Sequence, residues 1–456
     1  MDKKKFNYNY ILKFLKEDLN KVQIKRLIKN FISDISLNII GIITQLIFPP
    51  LMIMIYGLEG FGIWIFLTAI PSSLTIINLN INAAANTQMS IFYNKKNKKG
   101  MCETYTNSVF TSLFIIFILI IISLLLINFY DFDLNIFDKL DTYNLKIILI
   151  YIFTSLYINL IADVLRIGLT YKGKLYQDTY IESFFLFFSK FLIIIFSLVF
   201  KSFLLAAIAL FLGSVFRIIT YYYYFLKHNK GTIMFSSKLF SLKQSKKLLK
   251  LSFPYYLWSV NHFVKNSFQI IIIGLYFNAN IVGLITTFKT LFYFLPIKIT
   301  NIIGRSLTYE FTKYYAEKKF SLLKKIFAKF IKTISICMII YIIIISVIGE
   351  SIYNLWITNL QIFDYILMIL IILDVSIYII GYYFAIINRS INNFLSQSVF
   401  DTLMNISTIL IFVYLYKWYQ SYYLLFILNI ITTILLLLFS IYMAKKVIKS
   451  FDLVGK

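Results

Sequence analysis

The chain has 456 residues, of which 60% are hydrophobic and 19% aromatic, and it carries a formal net charge of +25. Its mean hydropathy of +0.79 and its long apolar runs exclude a soluble globular domain, so the sequence predicts an all-α integral membrane protein. The excess of lysine does not indicate nucleic-acid binding, because nearly all basic residues fall in short loops on one side of the predicted spans.

Residues 1–30 are a basic leader with nine Lys/Arg. This leader has no small-residue cleavage site, and the apolar run after it is too long for a signal peptide. Its apolar residues have helical spacing, which favours a helix lying on the cytoplasmic leaflet; a partly disordered basic segment is an equal alternative. The apolar residues concerned are Ile11, Leu12, Leu15, Leu19 and Val22.

A membrane-spanning helix needs about 20 apolar residues, and on that basis the sequence predicts about twelve spans in two six-helix lobes around a central cavity. The spans of the N-terminal lobe, over residues 31–227, lie near residues 32–56, 61–81, 107–129, 145–166, 180–200 and 203–226. A basic cytoplasmic linker over residues 228–250 follows. The spans of the C-terminal lobe, over residues 251–446, lie near residues 252–276, 280–304, 328–350, 362–386, 395–416 and 422–444. Residues 447–456 are predicted to be a cytoplasmic tail.

The second lobe repeats the first at a shift of roughly 221 residues. Two homologous lobes with a site between them are a recurrent way of building a transporter, because one lobe can rock against the other around a cavity at the middle of the membrane. The repeat therefore favours a transporter. The matched positions are Arg26–Lys29 with Lys247–Lys250, Phe61–Ile63 with Val282–Leu284, Leu175 with Leu395, Gln177 with Gln397, and Lys227 with Lys446.

The distribution of basic residues predicts the orientation. Thirty-five Lys/Arg lie on the side of the N-terminus, whereas the loops of the opposite side contain only Lys139, Lys146, Lys201 and Lys417. By the positive-inside rule both termini are predicted to be cytoplasmic. The loops on the opposite side are all short, which leaves no room for an external catalytic domain.

No motif of a soluble enzyme is present. The chain lacks a Walker-type phosphate loop and an HExxH sequence, and His228 and His262 are its two histidines. Cys102 and Cys337 fall in different predicted surroundings, so neither a disulfide nor a metal cluster is expected. We expect no cofactor and no enzymatic activity.

Ionisable residues in the middle of a span are the best candidates for a site, because a charge in hydrocarbon is costly and normally faces a cavity or a partner. Span 7 has a polar stripe at steps of three and four residues, which resembles the wall of a cavity. Lys265 in this stripe and Lys289 in span 8 lie near the midplane and are predicted to line a transport path. The alternative for both is an ion pair with Asp374 or another buried carboxylate. The stripe consists of Tyr255, Trp258, His262, Lys265 and Gln269.

Other polar residues within the spans are weaker candidates. Lys298 and Arg217 lie nearer the cytoplasmic ends, where snorkelling is an equal explanation. Asn38 and Gln45 share a face of span 1, and Asn78 lies at the inner end of span 2; polar contacts between helices explain these three equally well. Two more groups of residues receive a structural interpretation. Lys190 and Lys332 are also basic and within spans, with snorkelling favoured for Lys332, and Asp163 with Arg166 is predicted to be a local ion pair.

The segment from Pro49 to Trp64, which reads PPLMIMIYGLEGFGIW, closely resembles the first hairpin of Wzx-type polysaccharide flippases. These flippases belong to the multidrug/oligosaccharidyl-lipid/polysaccharide exporter (MOP) superfamily. The resemblance extends to the lysine-rich loop after span 2, the basic linker and Ser252–Pro254, and so covers nearly the whole chain. It implies two six-helix bundles in which spans 1, 2, 7 and 8 line a cavity that opens alternately to each side.

The resemblance also implies a substrate, namely an oligosaccharide repeat unit carried on undecaprenyl diphosphate, for O-antigen, capsule or other surface polysaccharide. The implied location is the bacterial inner membrane, with membrane lipids and other polysaccharide-assembly proteins as partners. Because spans 1 and 2 contain no mid-span Lys/Arg, the cavity charge is expected to come mostly from the second lobe. A multidrug exporter of the same superfamily is the nearest alternative, although organic cations would favour buried carboxylates; a glycan polymerase or ligase is a more distant one.

Overall fold

The computed structural model describes residues 21–74, 81–129, 136, 141–172, 175–229, 235–357, 363–391 and 394–454, and nearly all of them are helical. The helix expected over Ile11–Val22 lies largely outside these residues. The helices of the first lobe are α1 (Lys21–Leu74), α2 (Ile81–Asn94), α3 (Lys98–Phe129), α4 (Thr142–Thr170), α5 (Leu175–Phe200) and α6 (Phe203–Asn229).

A short 3-10 turn, Ser237–Leu239, lies between the lobes. In the second lobe, two spans are interrupted by π-helical segments. The first of these spans consists of α7 (Leu242–Phe263), the π-helix Val264–Phe268 and α8 (Gln269–Tyr276). The other consists of α9 (Ala279–Phe288), the π-helix Lys289–Phe294 and α10 (Leu295–Ala316). The remaining helices are α11 (Phe320–Trp356), α12 (Tyr365–Ser390), α13 (Leu395–Tyr419) and α14 (Tyr423–Val454).

Ten helical stretches among the described residues are long and apolar enough to cross a membrane. One of them, in α1, contains two spans, and the interrupted α7–α8 helix adds another. The described helices therefore agree with the twelve predicted spans, and the chain is a multi-pass membrane protein.

Helix α1 turns back on itself at Gly57, which has φ 73° and ψ 174°. This backbone conformation is essentially restricted to glycine, because a side chain would collide with the neighbouring peptide groups. Gly57 lies in the Gly-Leu-Glu-Gly-Phe-Gly turn of the hairpin motif. The motif therefore encodes the reversal between spans 1 and 2.

Helices at equivalent positions of the two lobes form equivalent packing pairs. In the first lobe α4 packs most extensively against α6, and in the second lobe α12 packs most extensively against α14. Leu175 begins α5 and Leu395 begins α13, which are matched positions of the sequence repeat. The repeat seen in the sequence is therefore a repeat of structure, and one large hydrophobic core contains buried residues of both lobes.

Two helices extend into the predicted connecting segments. Helix α7 begins at Leu242, inside the predicted linker, and α14 continues to Val454, through most of the predicted tail. Basic residues do not stop a helix once apolar contacts on one face hold it, so the lysine-rich sequence alone did not reveal these extensions.

The connection between the lobes is attached to the first lobe. The side-chain oxygen of Asn107, in α3, accepts hydrogen bonds from the backbone N–H of Ser241 at 2.8 Å and from the Ser245 hydroxyl at 3.2 Å. Its amide nitrogen donates to the backbone oxygen of Leu239 at 3.2 Å. The ring of Phe110, one turn further along α3, lies 5.0 Å from that of Phe240. The start of α7 is thus held against α3.

Candidate functional site: a cavity between the lobes

A cavity of about 440 Å³ lies between the two lobes. Helices α1 and α5 supply most of the wall from the first lobe, and α9, the second π-helix and α10 supply the wall from the second. Its volume is in the range of binding sites for small organic ligands. The lining residues are Leu37, Asn38, Gly41, Thr44, Gln45, Phe48, Pro49, Phe61, Ile65, Arg166, Glu182, Leu186, Lys190, Thr286, Thr290 and Lys298.

Lys190 is the basic residue of α5 that lines the cavity. It follows Glu182 and Leu186 at steps of four residues, and this spacing puts all three on the cavity side of the helix. Its Nζ lies 3.9 Å from the centroid of the Phe48 ring in α1. Among the described residues no carboxylate forms an ion pair with Lys190. A cation–π contact thus positions this ammonium while leaving its charge uncompensated by an acid.

Lys298 lines the same cavity from the second lobe, and Asn38 and Gln45 line it from α1. All three were among the candidates from the sequence. The side-chain nitrogen of Asn38 donates to the backbone oxygen of Asp34 at 2.7 Å, so its side-chain oxygen retains its capacity to accept. The cavity therefore combines cationic and amide groups from both lobes.

Arg166 and Glu182 line the cavity as members of ion pairs. Arg166 pairs with Asp178 at 2.7 Å, and Glu182 pairs with Arg217 at 2.6 Å. Arg217 also pairs with Asp163 at 2.7 Å. The predicted local pair of Asp163 with Arg166 is therefore wrong, because α5 and α6 bring each residue a partner from a neighbouring helix. Arg217 lies behind the cavity wall and acts on the cavity through Glu182.

The ionisable side chains that line the cavity are mostly basic: Arg166, Lys190 and Lys298 against Glu182. Since Asp178 pairs with Arg166 and Arg217 pairs with Glu182, Lys190 contributes a positive charge that no described carboxylate compensates. An anion that enters the cavity is attracted from both lobes at once, whereas an organic cation has Glu182 alone, already paired, as a lining acid.

Lys265 and Lys289 lie in the core of the second lobe, outside the lining of this cavity. Nζ of Lys265 is 3.6 Å from Oδ1 of Asp374, which also accepts a hydrogen bond from the Thr433 hydroxyl at 2.5 Å. Nζ of Lys289 donates to the backbone oxygen of Lys265 and to the side-chain oxygen of Gln269, both at 3.3 Å. The alternative of an ion pair with Asp374 is thus what the structure shows for Lys265.

The polar stripe of span 7 does not form one wall, because the π-helix Val264–Phe268 interrupts it. A π-helix has more residues per turn than an α-helix, so residues after it are rotated relative to those before it. His262 is accordingly exposed, whereas Lys265 and Gln269 are buried. Gln269 donates to the side-chain oxygen of Asn429 at 2.8 Å.

Two sequence candidates cannot be placed in the site. The side chain of Trp258 and all of Asn78 lie outside the described part of the structure. The other eight divide between the cavity (Lys298, Asn38, Gln45), the core of the second lobe (Lys265, Lys289, Gln269), the ion-pair network (Arg217) and an exposed position (His262).

Lys190 is a cavity residue that was not predicted to belong to the site, although it was among the mid-span basic residues. The informative signal was its spacing of four residues from Leu186 and of eight from Glu182, which forms a charged face on an otherwise apolar span. The cavity charge comes from both lobes, with Lys190 and Arg166 in the first.

Neither a protein-family profile nor a curated protein sequence matches the chain. The fold is similar to that of a multidrug resistance MATE family transporter of the MOP superfamily in an inward-facing conformation, with a TM-score of 0.61, 14% identity, and coverage of 91% of this chain and 100% of that chain. A MOP superfamily transporter from Pyrococcus furiosus, described as having a binding pocket of reverse polarity, gives a TM-score of 0.61, 13% identity, and coverage of 94% and 96%.

A third solved structure, a MATE protein in complex with MaD3S, gives a TM-score of 0.60, 14% identity, and coverage of 93% of this chain and 97% of that chain. Because the identities are this low, the likeness concerns the fold alone and does not indicate a substrate. The protein thus has the all-helical, two-lobed fold of MOP superfamily transporters, over nearly its whole length.

Proposed function

We propose that this protein is a transporter that moves an anionic, lipid-linked oligosaccharide across the bacterial inner membrane, by exposing the cavity between its lobes alternately to each side. The observation that carries the proposal is the pair of lysines, Lys190 and Lys298, that face one cavity from different lobes. The substrate proposed is a glycan repeat unit on undecaprenyl diphosphate, destined for O-antigen, capsule or other surface polysaccharide.

The cavity suits the head group of such a substrate. A diphosphate can accept charge-assisted hydrogen bonds from both ammonium groups, each contributing about 1.5 to 3 kcal/mol in poorly solvated surroundings. Asn38 and Gln45 can bond sugar hydroxyls, and the rings of Phe48 and Phe61 can pack against sugar faces. The lipid chain is apolar and stays in the bilayer.

Lys265 and Lys289 remain candidates for substrate contact at another stage of transport. Both are enclosed in the conformation described, with 7% and 6% of their surface exposed. The two π-helices that contain them are departures from regular helix of the kind often found at functional sites. Substrate contact would require the second-lobe core to open, so we assign the first contact to Lys190 and Lys298.

A multidrug exporter is the second candidate function, and the structural comparisons favour it, since the similar structures include MATE proteins, among them a multidrug resistance transporter. An exporter of organic cations would use Glu182 and the aromatic rings of the same cavity. The two functions make opposite demands on the cavity charge: lysine removal weakens binding of a diphosphate and strengthens binding of a cation.

The test is complementation of a bacterial strain that lacks its own polysaccharide flippase, scored by surface glycan, with drug susceptibility measured in parallel. We expect Lys190→Ala or Lys298→Ala to lower glycan export about tenfold or more, which corresponds to about 1.4 kcal/mol. Lys190→Glu and Lys298→Glu should lower it further by repelling the diphosphate. Lys98→Glu is the matched control, because Lys98 is exposed at the start of α3.

Membrane abundance of each variant is measured in the same cells. Normal glycan with both Glu variants at normal abundance would contradict the cationic cavity as the binding site. Failure of the wild-type protein to restore glycan, together with drug resistance that disappears in Glu182→Gln, would establish the multidrug exporter instead.

A further inference from the structure

The two lobes meet backbone to backbone at two glycines of the internal repeat. A methyl group placed on Gly62, in α1, would overlap the backbone oxygen of Ala279, at the start of α9. A methyl group placed on Gly283, in α9, would lie 2.5 Å from the backbone oxygen of Leu58 in α1. Side-chain carbons in proteins do not come this close to an oxygen atom, so a methyl group fits at neither position unless the backbones move apart. The absence of a side chain at each position allows the two backbones to meet.

These contacts are related by the repeat. The shift of 221 residues that aligns Gly62 with Gly283 also aligns Leu58 with Ala279. Each glycine of one lobe thus meets the residue that precedes the matched glycine of the other lobe by one helical turn. This reciprocity places the contact on the pseudo-two-fold axis that relates the lobes.

We call the end at which the two glycines meet the lysine-poor end, because its loops contain few basic residues. The lobes make further contacts. The indole nitrogen of Trp356, at the end of α11, donates to the backbone oxygen of Leu46 at 2.8 Å. Gly274 of α8 packs against the ring of Phe66, and a methyl group there would lie 3.2 Å from the side chain of Ile136.

Phe61, next to Gly62, is completely buried and lines the cavity. The glycine contact therefore forms the boundary of the cavity at the lysine-poor end. Since α1 and α9 meet there backbone to backbone, the two helices leave no room for a side chain between them at Gly62 and Gly283.

We propose that Gly62 and Gly283 form the gate of the transporter at the lysine-poor end, and that the gate closes fully only because neither residue has a side chain. This inference rests on the proposed function only in that it assumes alternating exposure of the cavity. A methyl group at either position destabilises the closed gate and shifts the protein toward conformations in which the lobes are apart at that end.

The test measures the distance between the lobes by pulsed electron paramagnetic resonance on the purified full-length protein. Spin labels are attached at Ser202→Cys and Ser421→Cys, in loops of different lobes at the lysine-poor end, after Cys102 and Cys337 have been replaced by alanine. We expect Gly62→Ala and Gly283→Ala each to move the distance distribution to longer values. Gly381→Ala is the matched control, because its added methyl group would meet Leu437 at an ordinary 3.5 Å within one lobe.

A second measurement leaves both glycines in place. Ala279→Cys is buried in the contact and should react with a water-soluble maleimide about tenfold or more slowly than Asn280→Cys, its exposed neighbour, because reaction requires a minor open state. Equal rates would overturn the gate, as would unchanged distances in Gly62→Ala and Gly283→Ala proteins that remain folded. Neither measurement uses a substrate, so the gate can fail while the proposed transport stands, and the reverse.

Discussion

Two kinds of mid-span lysine occur in this protein, one buried and one half-buried, and they are alike in sequence. Lys265 lies beside Asp374, whereas Lys190 lies over an aromatic ring in a cavity and has no acid partner among the described residues. Removing an ammonium group from water is costly in both cases. The carboxylate of Asp374 compensates the charge of Lys265, whereas the charge of Lys190 stays available to an incoming anion. The distinction depends on which helices are neighbours.

The ion pair of Lys265 supports a prediction about stability. Asp374→Asn removes the carboxylate and leaves two buried lysines without a counter-charge, and we expect it to cost about 3 to 5 kcal/mol of the free energy of unfolding if both stay charged. The measurement is the melting temperature of the purified protein in detergent. Asp374→Asn combined with Lys265→Met should recover much of the loss.

The exposed Asp141, which precedes α4 and makes no side-chain capping bond, provides the control. Asp141→Asn should leave the melting temperature nearly unchanged. If Asp374→Asn were as harmless as Asp141→Asn, the contact of Lys265 with Asp374 would have no structural role.

At the scale of single elements, the sequence predicted the number and approximate bounds of the spans because each exceeds the length that hydrocarbon requires. It did not predict the π-helices, since a single extra residue in a turn leaves no mark on composition. For that reason the spacing from His262 to Gln269 predicts one continuous face, which the π-helix divides in the structure.

Charged pairs between helices were equally hidden from the sequence. Asp163 and Arg166 are three residues apart and suit a local pair, yet each bonds to another helix. Sequence spacing identifies which residues can meet within a helix, but packing decides between that contact and one across helices. Asn38 and Gln45 of α1, by contrast, lie in the cavity lining, one of the two explanations that their shared face on span 1 allows.

The attachment of the linker through Asn107 supports a prediction at the same scale. Asn107→Ala removes three hydrogen bonds to Leu239, Ser241 and Ser245, so we expect the linker to detach more often and to be cut faster by trypsin at Lys238. Limited proteolysis of the purified protein, followed by mass spectrometry, measures the rate, and a several-fold increase is expected.

The control for this prediction is Thr104→Ala. Thr104 is buried in the same helix, and its hydroxyl donates to the backbone oxygen of Gly100, not to the linker. Equal cleavage rates in Asn107→Ala and Thr104→Ala would show that the linker is held by other contacts.

For the whole molecule, the distribution of lysine predicts which end faces the cytoplasm. In the background without native cysteines, Ser202→Cys and Ser421→Cys should react with a membrane-impermeant thiol reagent in intact cells. Asn97→Cys and Ser237→Cys, at the lysine-rich end, should react only after the cells are permeabilised, because the positive-inside rule predicts that this end faces the cytoplasm. Labelling of the lysine-rich loops from outside would reverse the orientation.

The architecture as a whole could be predicted from the sequence because the sequence contains the six-span pattern twice. A repeat of six spans specifies two similar bundles, and the pairing of α4 with α6 recurs as that of α12 with α14. The relative position of the bundles, and hence the cavity and its charge, depends on contacts between residues more than 200 positions apart, such as Trp356 with Leu46.

The reciprocal glycine contact has the geometry of an isologous interface in a symmetric dimer, in which one surface patch meets a copy of itself. If two identical six-span chains met in this way, one glycine per chain would serve both contacts, and a single substitution would alter both together. Fusion into one chain removes that constraint, so each contact can vary alone. The two already differ, since a methyl group at Gly62 would overlap its partner more severely than one at Gly283. The two lobes can thus become different in sequence at the pseudo-two-fold axis while both lobes are retained.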